Sequence, residues 1–129
     1  MDERQFKHRT KELALRVIKL VEALPKGTTA DVIGKQMLRC ATSVGANYRA
    51  ACRGKSTADI INKLSIVEEE ADECLYWMEL LVEAEIMNQA RMESLMAEAN
   101  EIVSMVVASI KTLRAKQFSI QNPKSKIQN

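Results

Sequence analysis

Residues 43 to 56 read SVGANYRAACRGKS, with Arg49, Arg53 and Lys55 set among small residues and a Gly-Lys-Ser at the end. Three kinds of chemistry use such residues: a phosphate loop, a catalytic turn, or a cationic helix edge that meets polyanions. A phosphate loop needs Gly-x4-Gly-Lys-Ser/Thr after a strand, so that backbone amides curl round the phosphates. Here Gly45 is too far upstream of Gly54 and the flanking patterns are helical, so Gly54–Ser56 reads as a turn and a helix cap. On a helical wheel with Lys35 at zero, Arg39 falls at about +40°, Arg49 at about −40° and Arg53 at about 0°. These four cations form one stripe opposite Ile33, Val44 and Ala51, and Lys55 at the turn extends it. No acid lies between Asp31 and Asp59. Two readings are open: a solvated face neutralised by glutamates of a neighbouring helix, or a ridge that contacts phosphates. Such contacts would be to backbone phosphates, because no aromatic platform for bases accompanies the stripe.

The opposite charge is concentrated in VEEEADECLYWMELLVEAE, residues 67–85. A di-iron bundle site needs Glu-x-x-His from two helices as well as lone glutamates, and the chain has 1 histidine, His8. Zinc lacks both sufficient histidine and paired cysteines, which leaves an all-carboxylate magnesium site as the open metal alternative. Glu69 and Glu73 face outward on the wheel, toward solvent or basic partners. No metal and no cofactor are expected. Ser43, Ser56, Ser65 and the cysteines have no histidine at a helical distance, so no catalytic residues are assigned and no enzyme activity is expected.

The elements that must position these groups are helices. Of 129 residues 47% are hydrophobic, with only 4 Gly, 2 Pro and 4% aromatics, which favours helix and leaves little for a sheet. A net charge of +2 hides a strong asymmetry, because residues 64–101 carry every carboxylate beyond Asp59 against a single arginine. Cys40, Cys52 and Cys74 have no CxxC spacing and read as reduced packing residues of a cytoplasmic protein. The charged N-terminus does not resemble a signal peptide, and no apolar run approaches the ~20 residues of a membrane span.

The first helix is expected over about Arg4–Leu24, with Leu13, Val17, Leu20 and Leu24 inward, ended by Pro25 and Gly27. Thr28, Thr29 or Asp31 is the expected cap of a second helix near 29–53, burying Ile33, Met37, Cys40, Ala41, Val44, Tyr48 and Ala51. A third helix, capped by Ser56 or Thr57, places Ile60, Leu64, Val67, Ala71, Cys74, Met78 and Leu81 on a heptad seam. After a break at Met87-Asn88, a fourth over about 90–117 buries Met92, Leu95, Ala99, Ile102, Val106, Ser109 and Leu113. Short connections predict an all-α, antiparallel up-down-up-down four-helix bundle over residues 1–117. Residues 118–129, FSIQNPKSKIQN, are expected to form a disordered polar and basic tail.

Apolar residues also appear off the core seam of the third helix. Ile66, Tyr76, Trp77 and Leu80 form a second seam, expected to be an oligomer interface rather than a broad core face with snorkelling aromatics.

The stretch LRCATSVGANYRAACRGKSTADIINKLSIVEEEADECLYWMELL resembles the middle of bacterial four-helix proteins related to the 23S rRNA intervening-sequence protein, the S23 family. Ser43, Val44, Ala46 and Asn47 match its first run, Gly54 and Ser56 its turn, and Leu64-Ser65 the start of its next pattern. Many members have Pro where Gly45 stands and Ile-Ala-Glu-Gly after the Asn; here Tyr48-Arg49-Ala50-Ala51 follows, so no role of that Glu carries over. The resemblance implies a homo-oligomeric ring, commonly a homopentamer. It also implies kinship with the retroelement accessory protein that binds nucleic acid and a reverse transcriptase. The family takes its name from genes inside rRNA insertions, which does not make this a ribosomal protein. The expected function is a non-enzymatic, homo-oligomeric nucleic-acid-binding accessory protein, best suited to structured RNA and a candidate partner of a reverse transcriptase. The alternative is a protein-interaction scaffold that binds no nucleic acid.

Overall fold

The computed structural model describes residues 2–121. Four helices follow one another: α1 (Glu3–Glu22), α2 (Thr28–Cys52), α3 (Thr57–Glu83) and α4 (Gln89–Gln121). Each packs chiefly on its neighbours in sequence, and α1 and α4 meet along a much thinner seam. Contacts run antiparallel: Phe6 meets Tyr48, Arg39 meets Glu70, and Arg9 and Arg16 meet Glu98 and Ser94. The four-helix bundle expected from the sequence is the observed fold.

One stripe of each helix builds the core. Phe6, Leu13 and Val17 of α1 face Met37, Val44 and Tyr48 of α2, and Val67, Met78, Leu81, Met92, Ile102 and Val106 complete it. Phe6 and Tyr48 meet edge to face with ring centroids 4.7 Å apart, a geometry that aromatic quadrupoles favour. All seven residues expected inward on α2 are buried. Elsewhere Leu20, Leu24 and Leu113, also expected inward, are only half-buried against the core, and two inward positions shift along their helices. In α4 Ile110 is buried in place of the expected Ser109, because a 3.6-residue helix drifts by about 20° per heptad against a strict seven-residue repeat. In α3 Ile61 is buried, while Ile60 is half-buried and lines an apolar notch of about 650 Å³ with Tyr48, Leu64 and Leu113 at one end of the bundle.

The turns depend on local geometry. Asp2 caps α1, accepting from the Arg4 and Gln5 amides at 2.8 and 3.4 Å. Ser56 caps α3, its Oγ accepting from the Asp59 amide at 3.1 Å. The cap of α2 is neither Thr28, Thr29 nor Asp31, since all three lie inside the helix. It is Gly27, at φ 153° and ψ 158°, a region open essentially to glycine alone. Gly54 has a different role. A Cβ there would collide with Ile60 Cγ1, so the α2–α3 turn closes only over a bare backbone. The α3–α4 turn puts Glu85 at φ 60°, with the Ile86 amide bonded to Leu81 O and the Glu85 amide to Val82 O, a Schellman closure.

Helix α4 extends to Gln121, four residues past the expected end of the bundle at 117, because no Gly or Pro interrupts it there. The rest of the expected tail, 122–129, lies outside the described residues. No helix among the described residues is long and apolar enough to cross a membrane.

Where α1 and α4 meet, Arg9 acts as a clamp. Its Nε and Nη2 donate to both oxygens of Glu98 at 3.0 and 2.7 Å, and Nη2 also reaches Glu101 at 3.0 Å. The hydrogen bonds from Arg9 hold the Glu98 carboxyl below its ordinary range. The folded carboxyl therefore binds its proton less readily than the unfolded one. The pair stabilises fully above the unfolded value, about 4.3, and that contribution is lost as pH falls through the lowered folded value.

Two measurements check these contacts. Gly54→Ala is expected to lower stability to denaturant by about 1–3 kcal/mol through overpacking; a midpoint at or above that of the native sequence contradicts the close approach of Ile60. The stability gap between the native chain and Glu98→Gln is expected to close on acidification below about pH 4; a gap independent of pH contradicts the clamp.

Candidate nucleic-acid interface

Helices α1 and α2 approach closely because small residues face each other. A Cβ on Gly45 would sit 3.6 Å from the Thr10 carbonyl oxygen, and Thr10 itself is buried, its hydroxyl donating to Lys7 O at 3.0 Å. Ala14, Thr42, Gly45 and Ala46 leave a groove of about 570 Å³ between the helices. Its remaining walls are Lys7, His8 and Lys11 from α1 and Arg49 and Arg53 from α2. Among the described residues lining it none is acidic. Lys7 also pairs with Glu3 one turn away at 3.5 Å, an exposed contact of little strength.

The expected stripe on α2 divides into two parts. Lys35, Arg49, Arg53 and Lys55 are exposed, and among the described residues none of the four forms an ion pair through its side chain, although the Lys55 backbone amide donates to Asp59 Oδ2 at 3.2 Å. Arg49 and Arg53 reach the groove; Lys35 and Lys55 lie beyond its lining. Arg39 departs from the expectation of an unneutralised stripe. Its Nη1 is 3.0 Å from Glu70, and its Nη2 pairs with Glu73. The wheel of α2 shows no acid because the acids belong to α3, which packs on the flank where Arg39 lies. At this position the neutralised-face reading holds.

Beneath Arg39, Cys40 is buried and its thiol bonds to Glu73. Burial, then the bond to Glu73, pushes the Cys40 thiol up to about 12. The Cys40 bond, followed by those from Trp77 and Arg39, holds the Glu73 carboxyl below its ordinary range. The ligand atoms of Cys40, Glu70 and Glu73 all lie within 4.8 Å of one another. As donors for a metal they are poorly suited: the guanidinium already occupies both carboxylates, and the thiol keeps its proton at neutral pH.

The residues of the expected second seam do not share one environment. Trp77 and Leu80 are half-buried and pack on the core, and the Trp77 indole donates to Glu73 at 3.5 Å. Tyr76 is exposed and meets Trp77 edge to face at 5.3 Å, beside an α3–α4 groove with Asp72, Glu79, Met96 and Asn100. Ile66 is half-buried. Sequence reasoning missed Lys7, His8 and Lys11, although their spacing of 4 and 3 in α1 is a visible signal; the apolar spacing of that helix says nothing about its cations.

The class defined by fold and site is a four-helix bundle with a cationic groove between its first two helices. Residues 3–108 match the model of the 23S rRNA-intervening sequence protein family, and the chain belongs to that family. The chain is also similar to a protein of unknown function from the S23 ribosomal protein family of Bacteroides thetaiotaomicron, whose crystal structure is known. The two are 38% identical over 86% of this chain and 99% of that one, with a TM-score of 0.80. Comparison with curated proteins finds no match.

Proposed function

We propose that the protein is a non-enzymatic accessory protein that binds structured RNA by its phosphates along the α1–α2 groove. One observation carries the reading: cations from two helices, Lys7, Lys11, Arg49 and Arg53, converge on a groove with no acidic residue among its described lining. Lys35 and Lys55 extend the positive edge beyond it. Among the described residues lining the groove there is no Phe, Tyr or Trp, and His8 supplies its one aromatic ring, so its contacts would chiefly track the backbone. In the same reading the protein is a homo-oligomer, a pentamer as the family resemblance implies. Ile66, Tyr76, Trp77 and Leu80 supply subunit contacts, a reverse transcriptase is the candidate partner, and the location is the cytoplasm.

The pairing of Arg39 with Glu70 and Glu73 supports a second reading. Cations of α2 fit carboxylates of α3, so a scaffold could join the groove of one copy to the acidic helix of another.

Reversing Lys11, Arg49 and Arg53 to Glu separates the two. The expected result is at least tenfold weaker binding of a labelled RNA hairpin at fixed salt, with helicity and oligomer mass unchanged. The dependence of log K on log[salt] should also flatten by about 0.9 for each phosphate that is no longer neutralised. Unchanged affinity contradicts the groove reading, and a fall in mass by light scattering favours the scaffold.

A further inference from the structure

Arg39 belongs to the stripe by position and to the acidic helix by its ion pairs. Its guanidinium bridges Glu70 and Glu73, whose side chains are 18% and 40% exposed, while its own is 50% exposed. A fully buried bridge would be permanent; one this open is weak enough for a competing anion to displace. Along α2, Arg39 lies within one turn of Thr42, which lines the groove, and one turn from exposed Lys35 on the other side.

Resting on the groove as a polyanion surface, we propose that Glu70 and Glu73 hold Arg39 in reserve, releasing it only to a ligand whose phosphates are linked and closely spaced. Two carboxylates around one guanidinium leave a net negative charge, which both withholds the cation and repels an isolated anion. A ligand already anchored at Lys35, Arg49 and Arg53 presents its next phosphate to Arg39 at high effective concentration, and that phosphate replaces the two carboxylates. A free phosphate has no such anchor. The acid pair thereby determines specificity, favouring long, dense polyanions such as duplex RNA over small anions.

The test is a salt series of anisotropy titrations with a labelled RNA duplex on folded full-length variants. Glu70→Gln/Glu73→Gln is expected to bind several-fold more tightly, with a salt slope steeper by about 0.9, the increment for one more neutralised phosphate. Adding Arg39→Gln in that background should remove the gain. Glu79→Gln/Glu83→Gln, with the same change in net charge, should leave the slope unchanged. If the native chain binds but the Glu70/Glu73 variant matches it, or if the gain survives Arg39→Gln, the reserve is overturned and the groove stands. If no variant binds, the groove reading falls and the reserve falls with it. Trp77, the 1 tryptophan of the chain, reports the same event without any substitution, through its hydrogen bond to Glu73. Its emission should shift with saturating duplex and stay constant with inorganic phosphate. Constant emission with bound duplex overturns the proposal.

Discussion

The rotation of α2 about its own axis sets the rest of the arrangement. Ile33, Met37, Val44 and Tyr48 are buried on one side of it, and α1 and α3 flank that side to left and right. Burial of each large apolar side chain stabilises by about 1.5–3 kcal/mol, whereas an exposed ion pair contributes about 0–1 kcal/mol. Hydrophobic packing therefore fixes the rotation, and the charges take the positions it leaves them. The flank toward α1 receives Arg49 and Arg53, opposite lysines. The flank toward α3 receives Arg39, opposite carboxylates. The same residue type on one helix is thus free or held according to its neighbour.

The other wall of the groove depends on α1 staying in place. Its approach to α2 is close because Gly45 has no side chain, and its seam with α4 is thin, with Arg9 spanning it to Glu98 and Glu101. That clamp sits on the face of α1 away from Lys7 and Lys11, so the cations of the wall remain outside the internal pairing that fixes the helix. Stability and surface charge are carried by different arginines on different faces.

Much of this is legible in the sequence, and what escapes has physical causes. The inward residues of α2 follow from apolar periodicity, since burial dominates there. The Ile110 position differs because a strict heptad does not track a 3.6-residue helix over several turns. Gly27 as a cap and Gly54 as a space for Ile60 are properties of three-dimensional approach that spacing does not encode. At the site, one helical wheel suffices to place Arg49 and Arg53. It fails for Arg39, whose partners lie 31 and 34 residues away on a different helix. Lys7 and Lys11 are equally visible, but their meaning depends on which side of α1 meets α2.

Helix α2 thus divides opposite charges, leaving its flank toward α1 cationic, the surface we propose polyanions meet. Backbone amide NMR shifts on addition of an RNA duplex test this most directly, since they locate binding without altering any residue. Perturbations are expected along Lys7–Ala14 and Thr42–Arg53, with the outer face around Glu79 and Asn100 unmoved. Perturbations centred on that α3–α4 face, or none anywhere at saturating duplex, would contradict it.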